Sequence, residues 1–270
     1  MKITILVDNI SKKNNLQAEH GFSAYIEDTH KILFDTGASG LLIENSKELG
    51  IDLNKIEFII LSHNHYDHTG DLKNLNNLLN NKINIIAGNN FFIEKYKKIN
   101  GVYNKISNEF IDKNIFENNY NFFSVNDIYQ ISQNIFIVSL RNGESILKEY
   151  FYIKNNNSEF IPDNFEEEIV LVYKKLNELT VLTGCCHTGI EHICNRLKSN
   201  FKNCIVKNII GGLHLEKVDE AYFEKIIQYV KNNNIKLFPG HCTGELKLWL
   251  LQSNIKENVE ILEVGKDINF

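Results

Sequence analysis

Residues 61–70 read LSHNHYDHTG and follow directly on the apolar run Phe58-Ile59-Ile60, which Leu61 completes. The run predicts a short buried strand, and the residues after it place His63, His65, Asp67 and His68 within six positions. In an extended segment, residues i and i+2 point the same way. His63 and His65 can therefore grip one cation while Asn64 and Tyr66 point elsewhere. The chain then turns, so that Asp67 and His68 face a second position beside the first. Imidazole combined with carboxylate suits zinc, and also iron or manganese. A solvated polar loop is the bland alternative, but this density of ligand types immediately after a buried strand argues against it.

The other histidines repeat the placement. Of nine in the chain, six fall at ends of predicted strands: His63, His65, His68, His187, His214 and His241. Their surroundings, SHNHYDH, TGCCHTG, GGLHL and PGHCTG, each combine a strand end with a glycine or a turn. Loops at strand ends are where a rigid scaffold best presents a site.

The 270 residues are 43% hydrophobic and 23% charged, the balance of a folded globular chain with a sizeable core. A net charge of -5 without a basic stripe gives no footprint for nucleic acid. No apolar stretch is long enough to span a bilayer. The opening MKITILVDNI alternates like a strand and does not read as a signal peptide. Five cysteines, Cys185, Cys186, Cys194, Cys204 and Cys242, are an odd number gathered late in the chain. They form no disulfide framework, so a reducing cytoplasm is expected. The expected partner is a small-molecule substrate; the oligomeric state is open.

Strands are predicted at 3–7, 22–27 and 31–35, the last two joined by a turn near Asp28-Thr29-His30. A short helix follows over Leu41–Leu49, capped by Gly50. Leu72, Leu75 and Leu79 share one helical face, and 83–87 returns as a strand. From 169 onward, strands at 169–173 and 179–183, a helix through Ile190, Ile193, Leu197 and Phe201, a strand at 205–210, a helix through Tyr222 to Val230 and a strand at 236–238 alternate regularly. Strands and helices mixed in both halves argue for sheets covered by helices. Residues 89–165 are the least regular part, rich in Asn, Phe and Tyr, with one clear strand at 135–139. The segment reads as an irregular insertion in a single domain spanning 1–270. It is either a surface excursion packing its aromatics on the core or a lid over the site.

SHNHYDH resembles the HxHxDH signature of the metallo-β-lactamase superfamily, and ILFDTG at 32–37 resembles that superfamily's early strand motif. The ordered set AEHGFSAYIE, ILFDTGASGLLIENSKELGIDL, LSHNHYDHTGDL, TGCCHTGI, GGLHL and HCTG resembles one branch. Its members are described as metal-dependent hydrolases of β-lactamase superfamily II, or as 7,8-dihydropterin-6-methyl-4-(β-D-ribofuranosyl)aminobenzene 5'-phosphate synthase. The resemblance covers 1–88 and about 160–245 well and 89–160 poorly. It implies an α+β fold, a four-layered αββα sandwich of two mixed β-sheets flanked by helices, with metals at one edge. It implies a cofactor of two divalent ions, zinc or alternatively manganese or iron. Residue by residue, His63 and His65 match ligands of the first ion, Asp67 and His68 match ligands of the second, and Asp35 matches an aspartate that orients a ligand. Glu19 and His20 also match the branch, as residues at the rim of the site or supporting it.

The later ligands depart from the superfamily's usual form, because no histidine lies between His68 and His187 and the expected "GD" is Gly184-Cys185. In one register His187 is the middle ligand, His214 stands where an aspartate would, and His241 closes the site. In the other, Cys185 replaces the aspartate. A neutral imidazole has one lone pair and does not normally bridge two metals. His214 is expected at the site as a ligand or a substrate contact. One of Cys185 and Cys186 should face the site and the other the core. Cys185 is kept as a candidate ligand, although a buried cysteine more often packs as a small hydrophobe, and Cys242 is expected to pack. Asp163, Glu166, Glu167 and Glu168 read as a solvated charged loop, from which the resemblance allows one carboxylate to reach the site.

The expected function is a metal-dependent hydrolase acting through a metal-activated hydroxide on an ester or phosphate-type substrate, with Asp67 orienting the nucleophile while ligating. The branch adds a dihydropterin phosphate as a substrate class, and the aromatic 89–165 segment as a surface on which a flat heterocycle could stack. Two alternatives stay open: an iron-dependent oxidoreductase on the same fold, and a non-catalytic metal-binding regulator.

Overall fold

In the computed structural model, which describes residues 1–79 and 82–270, the first half of the chain carries strands β1 (Lys2–Val7), β2 (Ser23–Glu27), β3 (Lys31–Phe34), β4 (Phe58–Leu61), β5 (Asn84–Gly88), β6 (Lys95–Ile99), β7 (Val102–Lys105), β8 (Asn121–Val125) and β9 (Ile128–Gln130). The second half carries β10 (Ile135–Ser139), β11 (Phe151–Lys154), β12 (Phe160–Pro162), β13 (Ile169–Lys175), β14 (Glu178–Thr183), β15 (Ile205–Gly212), β16 (Lys236–Gly240) and β17 (Asp267–Asn269). The helices are α1 (Leu41–Glu48), α2 (Tyr66–Thr69), α3 (Leu72–Leu78), α4 (Lys113–Asn119), α5 (Ile190–Asn200), α6 (Glu220–Asn232) and α7 (Glu245–Asn254).

Two sheets form the centre. One has the order β17-β1-β2-β3-β4-β5-β8 and the other β16-β15-β14-β13-β10-β9. Both are mixed. In the first, β3, β4, β5 and β8 run parallel and the rest antiparallel. In the second, β14, β15 and β16 are parallel and the others antiparallel.

Period-two alternation assigns each strand residue to a layer. Ile32, Phe34 and Ile60 face the second sheet, where they meet Ile169, Leu171, Leu182 and Ile210. Their neighbours Leu33, Ile59 and Leu61 point the other way, onto Leu42 of α1 and Leu72 and Leu75 of α3. Likewise Val170 and Val172 turn outward onto Ile193 and Leu197 of α5 and Phe223 and Ile226 of α6. These strands are buried on both faces, so they read as apolar runs and not as half-polar alternations. The expected αββα sandwich is the observed architecture. Among the described residues, no helix is long and apolar enough to cross a membrane.

The 89–165 segment differs from its sequence reading. It contributes β8, β9 and β10 to the main sheets and builds a third, antiparallel sheet of order β12-β11-β6-β7. The apolar pattern misses this sheet because its strands are half exposed and polar, as in Val102-Tyr103-Asn104-Lys105. Aromatic pairs hold it instead: Tyr103 stacks on Phe160 with centroids 3.8 Å apart and planes 4° from parallel. Helix α7 was also absent from the sequence reading. Its Leu246 and Trp249 are exposed while Leu248 and Leu251 are buried, so its apolar residues make no single stripe.

Asp71, which precedes α3, is buried. One carboxylate oxygen accepts a hydrogen bond from Asn74 Nδ2 at 2.9 Å, and the other has no partner. Burial pushes its pKa from 3.8 up to about 6, against the hydrogen bond from Asn74. A carboxyl raised on folding contributes stability that is complete below 3.8 and lost as pH rises through about 6. Asp71→Asn keeps the Asn74 contact and cannot ionise. It is expected to gain stability over wild type between roughly pH 4 and roughly pH 8, as urea denaturation at both ends would show. A pH-independent difference would mean that Asp71 is ionised throughout.

Candidate metal centre

Asp35 lies just past the end of β3, which runs beside β4. Its Oδ1 accepts the Ser62 N–H at 2.7 Å, and its Oδ2 accepts the Ser62 hydroxyl and His68 Nδ1–H, each at 2.7 Å. Having donated its proton, Ser62 Oγ accepts from His63 Nδ1 at 2.9 Å. His241 Nδ1 in turn donates to Asn9 Oδ1 at 3.0 Å. In each of these three histidines the partner engages Nδ1, so Nε2 is the atom offered to the centre. Gly184 lies against this node: a Cβ there would stand 2.1 Å from Ser62 Oγ and 2.8 Å from Asp35 Oδ2. Only a glycine lets β14 end so close to Asp35.

The turn carrying the motif is clamped from several sides. Thr36 N–H donates to His68 O at 2.7 Å, Phe22 N–H to Asp67 O at 3.1 Å and Tyr66 N–H to Ile106 O at 2.9 Å. Asn108 Nδ2 donates to Thr69 O at 2.7 Å. The last two clamps come from the 89–165 segment, which therefore supports the motif directly.

The structure brings the predicted histidines together from strand ends far apart in sequence. His63 Nε2 lies 3.0 Å from His65 Nδ1 and 3.3 Å from His187 Nε2. His68 Nε2 lies 3.2 Å from His241 Nε2 and 3.1 Å from Cys185 Sγ. Asp67 Oδ2 lies 3.3 Å from His241 Nε2 and 3.3 Å from His20 Nε2. Three sets have ligand atoms mutually within 4.8 Å around this centre: His63, Cys185 and His187; His68, Cys185 and His241; His20, Asp67 and His241. His214 lies beside His187 and lines the cleft, but it joins no set with another histidine. Its ring lies 4.4 Å from that of His187, its Nδ1 is buried without a partner, and it groups with Cys185 and Cys242.

Some placements follow the sequence reading and others depart from it. Cys185 faces the centre, and Cys186 takes the packing role in the outer core. Cys242, expected to pack, lines the cleft above the centre instead. Glu19 touches none of the histidines. It accepts from Ala38 N–H at 2.9 Å and from Ser39, bracing the loop after Asp35. His20 contacts Asp67 itself. The acidic run is no solvated loop: Asp163, Glu167 and Glu168 are buried and only Glu166 is exposed. Glu168 accepts His187 N–H at 2.7 Å, Thr188 N–H at 3.1 Å and the Thr188 hydroxyl at 2.8 Å, so it shapes the turn carrying His187. Sequence reasoning missed Asp8 and Asn9. Buried Asp8 accepts His241 N–H at 3.0 Å, and Asn9 binds both His241 and, through Nδ2, His20 Nδ1 at 3.2 Å. The signal was two polar residues ending the apolar β1.

Backbone strain marks the same region. Asp35, Phe165, Cys186, His214 and His241 all have φ between 46° and 58°. That left-handed region is unfavourable for side chains with a Cβ and persists only where the surroundings enforce it.

Burial drives the pKa values of His63, His65 and His187 well below the ordinary imidazole value, and neighbouring imidazoles add to the effect for each. Neutral imidazole is the ligating form. His68 is raised to about 9, because Asp35 and Asp67 outweigh its burial. Asp67 is held well below its usual range: burial opposes its charge, but His68, His20 and His241 prevail. Burial pushes Asp8 up to about 6 and Glu168 up to about 7. Two imidazole Nε2 atoms 3.2 or 3.3 Å apart cannot both carry a proton. His65 Nε2 is buried with no partner at all. A cation resolves these facing lone pairs, so the donor set fits divalent metal.

The centre forms the floor of a cleft of about 980 Å³. Asn9, Ile10 and His20 make one side, and Lys97, Ile99, Tyr150 and Phe151 of the third sheet and its lead-in make another. Glu216, Lys217, Glu245 and Leu248 close the rim toward α7. The Lys97 ammonium sits 4.6 Å from the Tyr150 ring centroid.

A family model described as the metallo-β-lactamase superfamily matches residues 17–104. The uncharacterized protein MJ0448 of Methanocaldococcus jannaschii is 32% identical over 249 residues, covering 90% of this chain and 90% of its own length. From the same organism, 7,8-dihydropterin-6-methyl-4-(β-D-ribofuranosyl)-aminobenzene-5'-phosphate synthase is 30% identical over 289 residues, covering 100% of this chain and 97% of its own. The crystal structure of Tm1679, described as a metal-dependent hydrolase of the β-lactamase superfamily, superposes with a TM-score of 0.82 at 29% identity over 100% of this chain and 99% of that one.

One further contact ties the third sheet to the centre. Lys95 of β6 is buried and lies 2.8 Å from Asp163 Oδ2 and 2.7 Å from Glu167 Oε2. Between those carboxylates in sequence, Phe165 stacks on His187 at 3.7 Å and 6°. Removing the amine would strand two buried carboxylates, which costs about 3–5 kcal/mol. Lys95→Ala is therefore expected to lose that much in chemical denaturation. A loss below about 1 kcal/mol, the worth of an exposed pair, would mean that water reaches the triad.

Proposed function

This chain belongs to the metallo-β-lactamase superfamily, and from that premise we propose that it is a metal-dependent hydrolase of small-molecule esters or phosphates. The observation that carries the reading is the convergence of five imidazoles and Asp67, with lone pairs facing one another, on the floor of an open cleft. His63, His65 and His187 would hold one divalent ion, and Asp67, His68 and His241 a second. Imidazole, carboxylate and thiol together suit zinc, ahead of manganese or iron. Bound there, such ions supply Lewis acidity and lower the pKa of water towards about 7.

The chain's own residues do the rest. Asp67 stays anionic and orients the attacking water while ligating. His20, on the solvent side of Asp67, is raised by its hydrogen bond to that carboxylate and can pass a proton to the leaving group. Tyr150 and Phe151 offer flat apolar surface, and Lys97 offers a cation for an anionic substrate group. A dihydropterin phosphate, the substrate class suggested by the M. jannaschii synthase, has both features. The same residues would serve group displacement as well as hydrolysis. The cysteines are all unpaired, which supports a reducing cytoplasmic setting.

Metal analysis of the purified protein tests the reading. About two zinc or manganese ions per chain are expected, with a loss in His63→Ala and in His187→Ala and no phosphodiester or ester turnover after chelation. Iron in place of zinc would favour the oxidoreductase, and retained metal without turnover the regulator. The substrate class has a separate test. Tyr150→Ala with Lys97→Ala should raise KM for a dihydropterin phosphate at least about tenfold and leave metal content unchanged. Unaltered KM would exclude this wall from substrate binding.

A further inference from the structure

Among the described residues, Cys185 alone belongs both to the set with His63 and His187 and to the set with His68 and His241; His241 also recurs, but only on the side of His68 and Asp67. Its Sγ lies within 4.8 Å of the ligand atoms of both His63 and His187, and equally of both His68 and His241. No histidine does this, and the position of His214, grouped only with the two cysteines, takes it out of that role. Cys185 is buried, and its Sγ is 3.1 Å from His68 Nε2. Gly184 and the turn before His187 fix the cysteine backbone. We infer that Cys185, as a thiolate, is the protein bridge between two divalent ions at this centre. The inference rests on the two-ion reading above. Imidazole nitrogen has a single free lone pair, whereas a thiolate sulfur has three and is a soft, charged donor. Occupying the site would release the thiol proton and the extra proton of His68 to solvent, since only thiolate and neutral imidazole ligate. Cys242 also offers a sulfur at the cleft, so the two thiols must be told apart.

Cobalt(II) replaces zinc as the probe, since sulfur-to-cobalt charge transfer absorbs in the near ultraviolet and reports a Co–S bond without any assay of activity. Wild-type protein titrated with cobalt should show this band growing through both the first and the second equivalent, because one sulfur then contacts two ions. Cys242→Ser should keep the band. Cys185→Ser should lose it while still binding cobalt through histidine, visible in the d–d bands. Cys185→Asp, whose carboxylate can also span two ions, should bind two cobalt ions with no charge-transfer band, and it serves if the serine variant does not fold. A band that saturates at one equivalent, survives in Cys185→Ser or disappears in Cys242→Ser would overturn the bridge while leaving the metal centre standing. Absence of any cobalt binding by wild type, or binding unchanged in His63→Ala, would overturn the two-ion reading and the bridge with it.

Discussion

The three hydrogen bonds that Asp35 accepts at the junction of β3 and β4 set the geometry of everything around them. They link the backbone and hydroxyl of Ser62 to the ring of His68, and through Ser62 Oγ to the ring of His63. One carboxylate thereby orients histidines from both ligand sets. It does so with no exposure to water, where such charge-assisted bonds are strongest. The cost is a strained left-handed backbone at Asp35 and a glycine at 184 that no other residue could replace. Asp8 and Asn9 at the end of β1 repeat the scheme for His241, and Glu168 repeats it for the His187 turn. Each carboxylate comes from a strand end other than that of the histidine it serves, and the Asp8–His241 contact, from β1 to the end of β16, joins the two sheets of the sandwich at one edge.

The 89–165 segment has two jobs that its composition conceals. Ile106 and Asn108 hold the motif turn, and the Lys95 triad seats Phe165 against His187. The same segment supplies Lys97, Tyr150 and Phe151 to one wall of the cleft. One segment thus both supports the centre and lines the cleft above it. It resembles a fixed wall more than a hinged lid, because its buried ion triad and backbone bonds anchor it on the motif side.

Period and composition determined the strands buried on both faces, the helices with one apolar stripe, and the crowding of ligand types at strand ends. Local rules reach these features, since alternation and helical spacing depend only on neighbouring residues. The motif also made Asp35 readable as a support, through its resemblance to a known family. The tertiary structure decided what depends on residues distant in sequence. It turned Cys185 and not Cys186 toward the centre, set His214 between His187 and the two cysteines, brought Asp8 and Asn9 to His241, and buried a run of acids that reads as solvated because Lys95 arrives from a strand some seventy residues earlier. It also made a sheet of polar segments whose pairing rests on stacked aromatics, which no apolar period records. A charge or a thiol has no fixed environment in one dimension; only the packed fold says which partner neutralises it.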